Sequence, residues 1–396
     1  MPSPTKKNLY LSALTGTQTA SLFGYSVGFI GGLIVLPSFL SHYNLSSLSP
    51  SSLAAAQARI VTFWLFGALL GVPLGMPVCS RLGRRTCLMF SAVLYVAGVV
   101  VQNINITPPR SQNLKSRPLL TSMLTGSSIS EISPASERAM LMSSYQTILQ
   151  LSALAGFWGA YLSNTILPDS SPLQWQVPTA IQLVPGTILL LGSLVAPETP
   201  RFLAEKGRLD EAEETLAWLR GVKGEEWRVS EEMKGIESAV LAVGRVRVGF
   251  WREVTMRSVR RRLGVGVGLM VAQNMVGLNA LNYYAPVIFM SAGFTSVSAS
   301  LFLTGVFGVV KLLSAIAFMF VFVKMKGNRF WLLLGSSLCG ICMAILAYFV
   351  HNLPPHDQLD STKLTLGGII SVLTVYVFAF SFSVSLGPIS WNVCSE

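Results

Sequence analysis

Residues 299–323 read ASLFLTGVFGVVKLLSAIAFMFVFV, a run that is apolar throughout except for Lys311 at its centre. At about 1.5 Å per residue, a helix of this length crosses the hydrocarbon core of a bilayer. A lysine at the midplane costs about 2.5–3.5 kcal/mol or more, so it usually faces a cavity and has a function there. The run therefore predicts a membrane-spanning helix with a functional cation at its centre.

Composition places the whole chain among membrane proteins. Its 396 residues are 51% hydrophobic and only 12% charged, whereas soluble domains carry about 25% charged residues. The net charge of +11 is explained by basic cytoplasmic loops, so no nucleic-acid partner is predicted. The three histidines lie in predicted loops or at the edge of a span, and the five cysteines lie in or beside apolar runs. We therefore expect no catalytic or metal site, no cofactor and no enzymatic activity.

Nine apolar runs are long enough to cross a bilayer. They are residues 11–37, 58–78, 87–105, 139–166, 177–197, 264–290, 299–323, 329–351 and 365–391. Basic residues after the second run and throughout 201–262 indicate two cytoplasmic loops. Three runs lie between these loops, although two loops on one side require an even number of crossings. The missing crossing belongs to residues 106–137, whose prolines and charges predict no spanning helix.

The sequence predicts an all-α polytopic membrane protein with two transmembrane halves. Residues 1–197 form the predicted N-terminal transmembrane half, and residues 263–396 form the predicted C-terminal half. Residues 198–262 form a cytoplasmic linker whose apolar residues recur every three to four positions, as in a helix. Paired halves of this kind are common in secondary transporters.

Several short motifs lie at matching places along these runs. They are FGYSVGFIGG at 23–32, SRLGRR at 80–85, SEISPASERA at 130–139, PETPRFL at 197–203, AQNMVGLNALNYYAPVIF at 272–289 and LGPISWNVCSE at 386–396. Together they resemble the sugar porter family of the major facilitator superfamily. The segment GVFGVVK, which ends at Lys311, is most similar to the fungal quinate permease branch.

The resemblance implies a twelve-helix carrier whose central site opens alternately to the two sides of the membrane. On that pattern the nine runs correspond to helices one to three and five to ten. Helix four is missing around 106–137, and the chain stops where the family continues into helices eleven and twelve. We therefore expect an incomplete or mis-spliced gene model, with a natural short form as the alternative.

The resemblance also implies a substrate site. Its positions are Gln146, Gln273, Asn274, Asn279, Tyr283, Tyr284 and Trp391. Amide groups donate to and accept from hydroxyls, and an aromatic face suits the C–H side of a sugar or cyclohexane ring. Lys311 joins this set as the group that binds an anionic substrate, because no Asp or Glu lies inside any predicted span. The alternatives are that the amides only join helices and that Lys311 binds a backbone carbonyl.

Two departures from the family pattern affect coupling and gating. Ser26 stands where proton-coupled members have the Asp that carries the proton, so a passive or weakly coupled carrier is expected. Ser80 and Ala139 replace an Asp and a Gly of the cytoplasmic motifs. The predicted cytoplasmic gating residues are Arg81, Arg84, Arg85, Glu137, Arg138, Glu198 and Arg201. The alternative is that these charges only set topology.

The function predicted from these observations is transport of a sugar or a polyhydroxylated acid such as quinate. The alternatives are a nutrient sensor of the same fold and a non-functional fragment. The expected partners are the small-molecule substrate and the lipid bilayer, and the expected location is the plasma membrane with a cytoplasmic N-terminus. Asn44, in the sequon Asn-Leu-Ser, is a predicted extracellular glycosylation site.

Overall fold

The computed structural model describes residues 7–103, 138–220, 226–245, 256–294, 296–322, 325, 327–352 and 366–395. Every regular element in these ranges is helical, as the sequence predicts. The helices are α1 (Lys7–Leu33), α2 (Pro37–His42), α3 (Pro50–Leu82), α4 (Arg84–Asn103), α5 (Arg138–Ile166), α6 (Leu173–Ile181), α7 (Leu183–Val195), α8 (Pro200–Glu205), α9 (Leu209–Arg220), α10 (Glu226–Arg245), α11 (Arg257–Met275), α12 (Leu278–Ser291), α13 (Val297–Ala317), α14 (Asn328–Asn352), α15 (Leu366–Val384) and α16 (Leu386–Ser395). A π-helical turn, Phe318–Phe322, follows α13.

Six stretches within these ranges are long and apolar enough to cross a membrane. They are Arg84–Asn103, Leu173–Val195, Val259–Ser291, Val297–Phe322, Asn328–Phe349 and Leu366–Trp391. Helices α1, α3 and α5 have 27, 33 and 29 residues, which is also sufficient length for a crossing. The prediction that residues 106–137 form no spanning helix lies outside the described residues.

Helix α1 packs closely along α5 because both helices carry small residues where they meet. A Cβ on Gly24 would overlap the Leu149 carbonyl, and a Cβ on Gly28 would overlap the Ala153 carbonyl. The sequence motif at 23–32 predicts such close approach, since small residues allow two backbones to touch. The glycines therefore fix α1 directly against Leu149 and Ala153, the backbone positions that flank Gln150 on α5.

Helices α5 and α13 run antiparallel, and three contacts define their register. The Asn164 amide donates to Ser298 Oγ at 2.9 Å. Further along, a Cβ on Gly305 would lie 3.0 Å from the Trp158 ring, and a Cβ on Gly308 would lie 2.8 Å from the Phe157 ring. Residue numbers therefore increase along α13 in the direction in which they decrease along α5.

Two of the apolar clusters of the bundle lie along these helices. One surrounds α12, α13, α14 and α15 and includes Phe157 of α5. The other lies where α1, α2, α5, α6 and α13 meet, and its buried members include Ile34, Phe39, Trp175 and Leu301. Trp175 stands near the start of the α6–α7 span, which ends near Glu198, so the second cluster lies at the end of the bundle opposite to the charged segment after residue 198.

The segment after residue 198 contains three helices, α8, α9 and α10. Leu203, Leu216 and Met233 form a small apolar core between them. Arg220 Nε donates to Glu232 Oε2 at 3.0 Å and ties α9 to α10. The helical periodicity in this part of the sequence thus corresponds to a packed helical unit rather than to one continuous helix.

Candidate functional site

Lys311 lies one turn beyond Gly308 on α13 and is only 2% exposed. Its ammonium donates to Asn282 Oδ1 of α12 at 2.9 Å and lies 5.3 Å from the centre of the Phe307 ring. Both partners are uncharged, so they solvate the cation without neutralising it. A buried charge that lacks an opposite charge is costly, and binding of an anion would offset that cost.

No Asp or Glu occurs in the membrane-spanning helices that the structure describes. Asn282 is therefore the group that accepts from Lys311 within the described part of the chain. Its position depends on Gly277, whose φ of 99° ends α11 and starts α12 in a left-handed conformation that suits glycine. Sequence analysis missed Asn282, although it directly precedes the paired tyrosines of the 272–289 motif.

Helix α5 contributes two buried glutamines one turn apart. Gln146 is 5% exposed and Gln150 is 2% exposed. The Oε1 atom of each is buried and has no hydrogen-bond partner among the described residues. A Cβ on Gly387 of α16 would lie 3.4 Å from Gln146 Nε2, so Gln146 faces the opposite part of the bundle. Gln150 has no counterpart among the sequence-predicted residues, and the signal for it is its spacing of four from Gln146.

The predicted residues of α11 and α12 occupy several environments. Asn279 Nδ2 donates to Asn274 Oδ1 at 2.8 Å across the break at Gly277, and Asn274 Nδ2 donates to the Met270 carbonyl. Asn274 is exposed, whereas Gln273 and Asn279 are half-buried. The structure thus joins Asn274 to Asn279 and leaves both on a more open face than Lys311.

Aromatic residues line the inner part of the bundle. Tyr283 is 2% exposed, its hydroxyl has no partner among the described residues, and its ring lies 5.6 Å from that of Trp64 on α3. Tyr284 is half-buried and packs in the same cluster. Trp391 is half-buried on α16. The contact between Trp64 and Tyr283 joins α3 to α12.

Ser26 lies in a neutral hydrogen-bonded group that joins α1, α4 and the α6–α7 junction. Its hydroxyl donates to the Leu22 carbonyl at 2.9 Å and lies 3.1 Å from the Tyr95 hydroxyl. The Tyr95 hydroxyl in turn donates to Gln182 Oε1 at 3.2 Å. All three side chains are buried. Ser26 therefore occupies the position that carries an Asp in proton-coupled members of the family pattern, and the groups that it contacts are uncharged.

Three of the predicted gating residues, Arg84, Arg85 and Glu198, meet at the turn between α3 and α4. The Glu198 carboxylate accepts from the backbone N–H groups of Arg84 and Arg85, at 2.9 and 3.1 Å, and so caps the start of α4. Gly83 makes this possible, because its φ is +101° and a Cβ there would overlap the Glu198 carboxylate. The Arg85 guanidinium donates to the carbonyls of Ser193 and Leu194 at the end of α7.

Glu205 is a further member of this group that sequence analysis missed. It lies 3.6 Å from Arg84 and 3.3 Å from Arg201, which stands four residues earlier on the helical segment. That spacing of four is the available signal. Arg81 is exposed at the end of α3. Glu137 and the Arg138 side chain lie outside the described residues. Asn44 is exposed between α2 and α3, with a φ of 53°.

Comparison with known proteins gives consistent matches along the whole chain. Residues 12–396 match the family model described as "Sugar (and other) transporter". The quinate permease of Neurospora terricola is 31% identical over 405 residues, which cover 98% of this chain and 75% of that protein. The quinate permease of Emericella nidulans is 31% identical over 403 residues, which cover 98% and 74% of the two chains.

Solved structures match the fold at lower identity. A partially occluded inward-open structure of the xylose transporter XylE from E. coli has 24% identity and a TM-score of 0.76, and the match covers 98% of this chain and 88% of that chain. The proton:xylose symporter XylE bound to 6-bromo-6-deoxy-D-glucose has 23% identity and a TM-score of 0.76, with coverage of 98% and 82%. The predicted all-α, multi-pass major facilitator fold is confirmed.

Proposed function

The chain belongs to the sugar (and other) transporter family, and on that premise we propose that it carries a hydroxylated acid such as quinate across a membrane. The carrier works by alternating access to a central site between α5, α12, α13 and α16. The observation that supports an acidic substrate is the Lys311 ammonium, which is buried against the neutral Asn282. Quinate permeases among the relatives agree with this choice.

Electrostatics explains why an anion suits this site. A cation in a low-dielectric interior interacts strongly with an opposite charge, and a bound carboxylate would return the stabilisation that burial removes from Lys311. The ammonium has three donors, and Asn282 accepts from one of them. Two donors remain to bind the two oxygens of a carboxylate. The binding roles of Gln146, Gln273, Asn274, Asn279, Tyr283 and Trp391 are part of this proposal.

A neutral sugar is the second candidate. Gln146 favours it, since a buried amide with an unpartnered Oε1 can accept from a hydroxyl of any polyol. The two candidates differ in what they require of Lys311. A neutral sugar needs no counter-charge, whereas an acid does.

We also propose that transport is not coupled to protons. The neutral group of Ser26, Tyr95 and Gln182 supports this, because it holds no carboxylate that could take up and release a proton. With the membrane potential held constant, uptake should not change when the proton gradient is removed, and uptake that collapses with that gradient would contradict the proposal.

The remaining proposals concern placement in the cell. The halves at 1–197 and 263–396 move relative to each other, and the unit at 198–262 lies on the cytoplasmic side with the N-terminus. The group around Glu198 and Arg84 then stabilises one state of the carrier at the cytoplasmic face. The location is the plasma membrane, with Asn44 glycosylated outside. Protease protection in sealed vesicles and loss of a mass shift in Asn44→Gln test these points.

The test of the proposed substrate is Lys311→Asn, compared with Lys234→Asn at an exposed site on α10. Uptake of labelled quinate and labelled glucose is measured in cells that lack their own carriers. Lys311→Asn should abolish quinate uptake and retain or create glucose uptake, while Lys234→Asn should behave as the parent. Quinate uptake at the parent level in Lys311→Asn would show that Lys311 is structural. Binding of quinate without uptake would indicate a sensor.

A further inference from the structure

Gln150 on α5 is a buried polar residue that neither the family resemblance nor the packing of the bundle accounts for. Its side chain is 2% exposed, yet its Oε1 has no hydrogen-bond partner among the described residues. An unpaired buried carbonyl oxygen costs about 1–3 kcal/mol. A buried acceptor of this kind usually has a hydrogen-bond donor outside the protein, which in a carrier is a substrate or an ordered water.

The register of α5 against α13 places Gln150 at about the same depth as Lys311. Asn164 contacts Ser298, Trp158 contacts Gly305, and Leu154 and Phe157 contact Gly308. One further turn along each helix leads to Gln150 on α5 and to Lys311 on α13, since the helices are antiparallel. The two side chains therefore lie at about the same depth, on the faces by which α5 and α13 meet.

The Lys311 ammonium and Gln150 Oε1 require different hydrogen-bond partners. Lys311 offers only donors, and Asn282 uses one of them. Gln150 Oε1 is only an acceptor, so it pairs with a hydroxyl and repels a carboxylate. A ligand that satisfies both groups at once carries a carboxylate and a hydroxyl on one small frame.

We propose that Gln150 is a specificity-determining residue that accepts a substrate hydroxyl beside the Lys311 ammonium, so that the site selects hydroxy carboxylates over carboxylates without a hydroxyl. This proposal rests on the proposed function, and it adds a requirement to it. Charge alone would admit any small organic anion. The pairing of Lys311 with Gln150 restricts the substrate to hydroxylated ones.

The test compares quinate with cyclohexanecarboxylate, which has the same ring and carboxylate but no hydroxyl. Each unlabelled acid competes with labelled quinate for uptake by the parent, by Gln150→Met and by Leu151→Met. Leu151 is 53% exposed, so Leu151→Met introduces the same side chain at a neighbouring position outside the buried site. The ratio of the two inhibition constants reports on the hydroxyl contact independently of how much carrier reaches the membrane.

Gln150→Met should weaken quinate by between about threefold and tenfold, the range for one lost hydrogen bond, and leave cyclohexanecarboxylate unchanged. Leu151→Met should keep the parent ratio. An unchanged ratio in Gln150→Met would overturn the proposal and assign Gln150 to a bound water or to packing. A parent that binds neither acid would instead refute the proposed function.

Gln150→Glu provides a second readout that does not depend on the methionine variant. It keeps the shape and an acceptor, but places a carboxylate at the depth of Lys311. The new charge should pair with the ammonium and reduce binding of quinate to the purified carrier by more than about tenfold. Parent-level quinate affinity in this variant would show that Gln150 lies away from the anion and would also overturn the proposal.

Discussion

At the scale of single residues, the most consequential contact is the one between Lys311 and Asn282. Among the described residues, the Lys311 ammonium donates its hydrogen bond to Asn282 Oδ1. A hydrogen bond to a charged group contributes about 1.5–3 kcal/mol, and more is lost when the charge stays buried without it. Stability of the carrier without substrate should therefore depend on this pair.

Asn282→Leu should lower thermal stability, because it leaves Lys311 buried without an acceptor and costs about 2 kcal/mol or more. The double variant with Lys311→Met should recover most of that loss, since it removes the charge that needs a partner. Thermal unfolding of the purified carrier in detergent gives the three values. Additive losses in the double variant would show that the two side chains are not energetically coupled.

The sequence predicts Lys311 but not its neighbours, for a physical reason. A charge in an apolar run stands out in one dimension, because its cost depends only on depth in the membrane. Asn282 and Gln150 differ from other buried amides only through which neighbouring helix they face. That information comes from the packing of Gly308 against Phe157 and from the turn at Gly277, and neither register can be obtained from periodicity alone.

At the scale of elements, the close contact of α1 with α5 fixes the position of α5 and therefore of Gln146 and Gln150. The glycines of α1 meet backbone atoms of α5, which cannot rotate away as a flexible side chain can. A single added methyl group must therefore push the two helices apart. Such a shift would move Gln146 and Gln150 relative to α13.

Gly28→Ala should destabilise the carrier by about 1–3 kcal/mol, the usual cost of overpacking, and should lower uptake. Gly268→Ala in α11 is the matched control, because a Cβ there meets nothing within 4 Å. The control should be neutral or slightly stabilising, since alanine favours a helix over glycine by about 1 kcal/mol. Equal thermal stability of the two variants would contradict the close contact of α1 with α5.

Hydropathy predicts these elements well, because a spanning run must satisfy its backbone within one helix. The nine predicted runs coincide with helices that the structure describes. Their internal breaks are less visible in sequence. The run at 264–290 divides at Gly277, and the run at 177–197 contains the α6–α7 junction at Gln182. Such breaks depend on single backbone angles, whereas a run depends on many side chains together.

At the scale of the whole molecule, the two predicted halves meet at the end opposite to the charged segment. The apolar cluster around Trp175 and Leu301 and the hydrogen bond from Asn164 to Ser298 lie there. Alternating access requires this contact to open whenever the site faces that side. The described contact therefore belongs to one state of the proposed cycle.

A disulfide between Asn164→Cys and Ser298→Cys should hold this contact closed and stop transport. Uptake is measured before and after mild oxidation, and reduction should restore it. The single variants Asn164→Cys and Ser298→Cys serve as controls and should retain uptake under oxidation. Full uptake in the oxidised double variant, with the cross-link shown on a gel, would contradict the proposed opening at this end.

The absence of carboxylates from the described spanning helices gives the empty carrier an electrical character. With Lys311 charged, the unloaded site carries a positive charge at the depth of that residue in the described helices, whereas a bound monovalent acid neutralises it. The transmembrane field exerts about 2.3 kcal/mol per 100 mV on a charge that crosses it fully. Voltage should thus act on the return step of the empty carrier rather than on the step that moves substrate, and cells that change their membrane potential would change the turnover of this protein without changing its affinity.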